Sequence, residues 1–133
     1  MQNKILQSVN NYEQALNRLH EFIDEPIVND RDRAGIIQAF EFTFELSWKT
    51  IQKIAQYEEL EIGGPKTALK QAYNMNFIEN EFENSWILML KDRNLMSHTY
   101  KEDVAIDVCE HIQTVYIKAF DNLLSKLKDR FAL

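Results

Sequence analysis

An arginine, an amide, a histidine and a tyrosine fall within eight positions of one another in Leu90-Lys91-Asp92-Arg93-Asn94-Leu95-Met96-Ser97-His98-Thr99-Tyr100. A histidine with an ordinary pKa of about 6.5 takes or gives a proton near neutrality. An arginine presents a fixed fork of donors that fits a carboxylate or a phosphate. The stretch closes the most apolar run in the chain, Trp86-Ile87-Leu88-Met89-Leu90. Any chemistry in this chain is expected here, and everything else reads as helical scaffold.

Spacing sharpens the expectation. At about 100° per residue, Phe82, Trp86, Met89, Arg93, Met96 and Tyr100 share one stripe of a helix. Arg93 therefore occupies a position that the pattern reserves for an apolar core residue. A buried guanidinium needs an acidic partner, a carbonyl cluster, a subunit interface or a phosphate. The plainer alternative is an arginine whose stem lies on the core while its head snorkels to water. Asn94 and His98 can share a face, whereas Arg93 and His98 lie about 140° apart on a continuous helix. The two converge on one ligand only if the helix ends or loosens between Leu95 and His98. Ser97 and Thr99, which compete for backbone hydrogen bonds, suit such an end. A lone histidine at a helix end is more often a cap or a surface residue than a catalyst, so spacing alone leaves both readings open.

The elements that must position this stretch read as helices. Ile5, Leu6, Val9, Tyr12, Leu16, Leu19, Phe22 and Ile23 recur at three and four, predicting a first helix from about Lys4 to Ile23. Asp24-Glu25-Pro26 ends it. Asn29 or Asp30 caps a second, long helix to about Glu59, with Ile36, Ile37, Phe40, Phe44, Trp48, Ile51 and Ala55 as its stripe. Phe42 and Leu46 add a second apolar face, placing this helix between neighbours. Gly63-Gly64-Pro65 is the strongest break, and Pro65 suits the first turn of a short helix to about Asn74. A fourth helix starts near Glu79, and a last one runs from about Asp103 to Arg130 on Val104, Val108, Ile112, Val115, Ala119, Leu123 and Leu127. The expected fold is all-α, an antiparallel bundle of four long helices plus one short one, forming a single domain over residues 1–133.

Composition supports that class. Two prolines and three glycines leave little material for hairpins. A net charge of −6 argues against coating nucleic acid through the overall field, while leaving room for a local basic pocket. The lone Cys109 cannot form an internal disulfide, no apolar signal region follows Met1-Gln2-Asn3-Lys4, and no run approaches the roughly 20 apolar residues of a membrane span. The expectation is a cytoplasmic protein without membrane association.

Other constellations read as structural. Glu41 and Glu45 share a face, but paired carboxylates on a long helix are usually solvated. His20 and His111 lack metal-ligand spacing to each other or to Cys109, so no metal and no cofactor is expected. Cys109 falls beside the last helix's stripe as packing, and Phe40, Phe42, Phe44 and Trp48 read as core. The only glycines are Gly35, Gly63 and Gly64, which excludes a glycine-rich phosphate loop.

Two segments carry a resemblance. Phe40-Glu41-Phe42-Thr43-Phe44-Glu45-Leu46-Ser47-Trp48-Lys49 is similar to the first signature of the nucleotidyltransferase substrate-binding family. Asp92-Arg93-Asn94-Leu95-Met96-Ser97-His98-Thr99-Tyr100 resembles its second. That family belongs to the HEPN superfamily of helical bundles, and Arg93, four residues, His98 and then Tyr100 match the R-x-x-x-x-H-x-Y pattern of HEPN toxins. The resemblance implies a homodimer that binds a minimal nucleotidyltransferase; this chain lacks the Gly-Ser turn and paired aspartates that such an enzyme needs. It also implies a metal-independent ribonuclease in which Arg93 and His98 act at the dimer interface on the 2′-OH of RNA. Asn94 would orient the phosphate or the imidazole, and Tyr100 matches a tyrosine that partner transferases modify with AMP. A two-fold would set two copies of Arg93 around one cleft, whose repulsion favours an anion between them.

Overall fold

The computed structural model describes residues 2–98 and 100–133. Helix α1 (Gln2–Asp24) and helix α2 (Asp30–Tyr57) form a hairpin, followed by the short α3 (Pro65–Asn74), a 3₁₀ turn (Asn80–Phe82) and α4 (Glu83–His98). Helix α5 (Glu102–His111) passes through a π turn (Ile112–Tyr116) into α6 (Ile117–Phe131) with helical backbone at both junctions. No strand occurs among the described residues, and the fold is all-α as expected.

Local chemistry sets the boundaries. Asn29 caps α2 through a full capping box: its Oδ1 accepts the Asp32 N–H at 3.1 Å, and Asp32 Oδ2 accepts the Asn29 N–H at 3.3 Å. Pro65 opens α3 where its missing N–H is spare. Just past the end of α2, Glu59 takes the left-handed region (φ 60), with Leu60 N–H donating to Ala55 O at 2.8 Å. The fourth helix begins later than its sequence suggests, because the chain first makes a 3₁₀ turn after Glu79.

The core is aromatic. Tyr12, Phe40, Phe44, Trp86, Tyr116 and Phe120 are all buried, and Phe120 meets Tyr12, Phe40 and Trp86 at ring distances of 5.5–6.3 Å. Burial of each ring is worth about 1.5–3 kcal/mol. Helix α2 is central, touching α1, α3 and α5. Its second apolar face is only partly covered: Leu46 is half-buried, and Phe42, expected in the core, is 60% exposed.

The π turn was not legible from periodicity. Its extra residue shifts the register locally, so Tyr116 enters the core in place of Val115, which is only half-buried. No helix among the described residues is long and apolar enough to cross a membrane.

Candidate functional site

Helix α4 supplies the site, and three buried residues seat it: Trp86, Met89 and Met96. Arg93 falls on that same face, half-buried, as the spacing predicts. Its acidic partner is Glu45 of α2. Arg93 Nη2 donates to Glu45 Oε1 at 2.5 Å, and Arg93 Nη1 donates to Asn94 Oδ1 at 3.1 Å. The guanidinium also lies 6.0 Å from the centre of the Phe44 ring. Snorkelling alone does not describe this arginine, whose head is held by a carboxylate.

Glu41 and Glu45 are therefore not the solvated pair their spacing suggests. Glu45 Oε2 additionally accepts the Trp48 Nε1–H at 3.1 Å, which orients the carboxylate toward α4. Glu41, half-buried beside them, has its pKa raised by burial, lowered in part by Arg93 and raised again by Glu45. One signal could have found them: an arginine on a core stripe demands a carboxylate, and these two interrupt the apolar middle of α2.

The expected break after Leu95 does not occur, because α4 continues through His98. Ser97 Oγ donates back to Arg93 O at 3.0 Å, inside the helix rather than against it, and buried Met96 anchors the same turn. Arg93 and His98 consequently point about 140° apart within one chain. Asn94 and His98 do share the outer face, both exposed, together with Lys91, Leu88 and Leu95. Thr99, the second residue expected to favour a break, lies outside the described residues.

Tyr100 follows α4 and is 47% exposed, with its hydroxyl donating to Asp30 Oδ1 at 3.1 Å. Partial burial and the Asp30 carboxylate both raise its pKa. That hydrogen bond ties the end of the site to the first turn of α2.

A support that sequence reasoning missed lies behind Arg93. Asp92 Oδ2 accepts the buried Tyr116 hydroxyl at 2.5 Å and sits 2.8 Å from His111 Nδ1. Burial and Asp92 together raise the Tyr116 pKa. The π turn brings Tyr116 to this position, stacked on Phe40 at 5.6 Å, so Asp92 fastens α4 to the last helix. Among the described residues no group of three potential ligands could hold a metal. Cys109 is buried, as expected of a packing residue, and burial raises its thiol to about 11.

Fold and site together define a helical bundle whose fourth helix carries an arginine on its inner face and a histidine on its outer one. The chain belongs to the nucleotidyltransferase substrate-binding family, of HEPN type: the model described as "Nucleotidyltransferase substrate binding protein like" matches residues 7–129. The chain is 34% identical over 109 residues to a protein of Haemophilus influenzae named Probable ribonuclease HepT, covering 78% of this chain and 73% of that one. A crystal structure of a Thermus thermophilus protein superposes with a TM-score of 0.78 at 30% identity, covering 88% of this chain and 98% of that one.

Proposed function

We propose that this chain is the HEPN-type subunit of a two-component minimal nucleotidyltransferase module, acting as a homodimer that binds the transferase and presents Tyr100 to it. The observation that carries the reading is the outer face of α4. Leu88 and Leu95 are 50% and 46% exposed there, beside Lys91, Asn94 and His98. Two exposed leucines one heptad apart, framed by polar groups, form a self-complementary seam about a two-fold axis. Such a dimer would bring Asn94 and His98 of both protomers to one seam.

Tyr100 suits modification. The residue is exposed and its hydroxyl is already hydrogen-bonded to Asp30, a carboxylate placed to accept the phenolic proton as the oxygen attacks the α-phosphate of ATP and pyrophosphate leaves. The metal for that transfer belongs to the transferase. The family description is a further support for a transferase partner. The experiment is intact-mass analysis after incubation with the transferase, ATP and Mg²⁺. An adenylate mass appears on the native chain and is absent from Tyr100→Phe; its persistence in Tyr100→Phe would contradict the assignment.

A second reading, a metal-independent ribonuclease using Arg93, Asn94 and His98, is favoured by the name of the Haemophilus relative and by the exposure of His98. His98 would take the 2′-OH proton as that oxygen attacks the adjacent phosphorus, forming a 2′,3′-cyclic phosphate and breaking the bond to the 5′-oxygen, which leaves with a proton returned by His98 or water. Arg93 would exchange Glu45 for the phosphate while Asn94 orients it. Adenylation of Tyr100 would add negative charge beside that site and silence it. RNA decay on induction of the chain alone, absent in His98→Ala, is the expected result; equal decay in both rejects this reading.

A further inference from the structure

A separate feature lies on the α3 side of α4. A groove of about 320 Å³ runs between the two helices, floored by Leu69, Ile78, Trp86, Ile87 and Leu90. Its walls are almost wholly apolar, yet two features break the pattern. Trp86 is 2% exposed, and its Nε1–H has no hydrogen-bond partner among the described residues. A buried indole N–H left unpaired costs about 1–3 kcal/mol. The second feature is charge. Lys66 and Lys70, one turn apart on α3, both line the groove and are exposed, and neither is among the ion pairs formed by the described residues. Glu83 is the one carboxylate in the lining, so two ammonium groups against one carboxylate leave this rim positive in a chain whose net charge is −6.

We propose that this groove binds a small amphipathic carboxylate, an apolar or aromatic body seated on Leu69, Ile78 and Leu90 whose anionic head meets Lys66 and Lys70. The size is that of an ordinary small-molecule site, which spans about 300–1,000 Å³. An apolar lining with a few placed polar groups is the composition of such sites. Tyr73, also in the lining, is not free for this role, because its hydroxyl donates to Asn80 Oδ1 at 2.7 Å. The groove adjoins the outer face of α4 through Ile87 but uses none of Arg93, Asn94, His98 or Tyr100, so the site stands or falls independently of the proposed module.

Calorimetric titration of the full chain tests it with matched probes. Indole-3-acetate and tryptamine share a ring and differ in the sign of the head; decanoate replaces the ring by an aliphatic chain. Indole-3-acetate or decanoate should saturate one site at up to millimolar concentration, and whichever binds tells an aromatic from an aliphatic body. Tryptamine should bind the groove at least about tenfold more weakly than its acid, since two ammonium groups face its own. In Lys66→Glu/Lys70→Glu the affinity for the acid should fall about tenfold, with circular dichroism unchanged because both side chains are exposed. Equal affinity for tryptamine and indole-3-acetate, undiminished binding in the double variant, or no saturation by either acid overturns the proposal. Should the double variant fail to fold, the acid–amine comparison on the native chain still decides.

Discussion

Replacing Arg93 by alanine tests the internal logic of the site. The guanidinium and Glu45 side chains are 28% and 29% exposed, so their bond is neither a surface pair nor a fully buried one. Exposed pairs are worth about 0.2–1 kcal/mol, and breaking a fully buried pair costs about 3–5 kcal/mol. An intermediate value of about 1–2 kcal/mol follows, to which contact with the Phe44 ring adds about 0.5 kcal/mol. Arg93→Ala should therefore lose about 2 kcal/mol of unfolding free energy at neutral pH. The loss should also depend on pH, and its sign follows from Glu41. Burial raises the folded-state pKa of Glu41, so the native state holds that proton more tightly than the unfolded chain. Its contribution is present below the unfolded carboxylate pKa and is lost as pH rises through the raised folded value. Arg93 opposes that rise, and without it Glu41 and Glu45 repel each other in the ionised state. The variant's deficit should shrink as pH falls through the window just above the ordinary carboxylate range, where Glu41 takes up its proton. Urea unfolding of both proteins across that window provides the measurement. A deficit that stays constant with pH, or one below about 0.5 kcal/mol at neutrality, would refute the claim that Glu45 and Glu41 are the environment of Arg93.

Other outcomes follow from neighbouring geometry. Tyr116→Phe removes the hydroxyl held by Asp92 at 2.5 Å, and chemical denaturation should show a loss of about 1.5–3 kcal/mol, as for a hydrogen bond to a charged group. Glu59→Gly relieves a left-handed backbone at the end of α2 and should raise stability by about 0.5–1 kcal/mol, read as a higher midpoint in thermal melting. Trp86→Phe should cost far less than Trp86→Ala, which should lose about 3–5 kcal/mol, because the indole N–H makes no bond to lose while the ring fills the core.

Much of this architecture can be read from residue pattern alone, and the exceptions have physical causes. Asn29 as cap, Pro65 as first turn and the apolar stripes of α1 and α2 depend on local rules, and the structure follows them. Arg93 on a core stripe also follows from period, and with it the demand for an acidic partner. Which carboxylate answers that demand depends on how α2 and α4 pack, and no local rule contains that information. Glu45 is such a case. Tyr116 is another, since a π turn inserts one residue into a helix whose sequence otherwise keeps its period, and only the finished packing of Tyr116 against Phe40 and Asp92 justifies it. The continuity of α4 through His98 shows that Ser97 can bond back within a helix as readily as end one. Within one chain, that continuity keeps Arg93 and His98 on different faces of α4.

The most direct test of the proposed module is co-expression with a candidate minimal nucleotidyltransferase partner, followed by sedimentation velocity of the purified material. One complex containing two copies of this chain is expected, and a chain that sediments as a monomer once Leu95→Glu places a charge in the proposed α4 seam. Separate sedimentation of the two proteins, with this chain monomeric before any substitution, would contradict it.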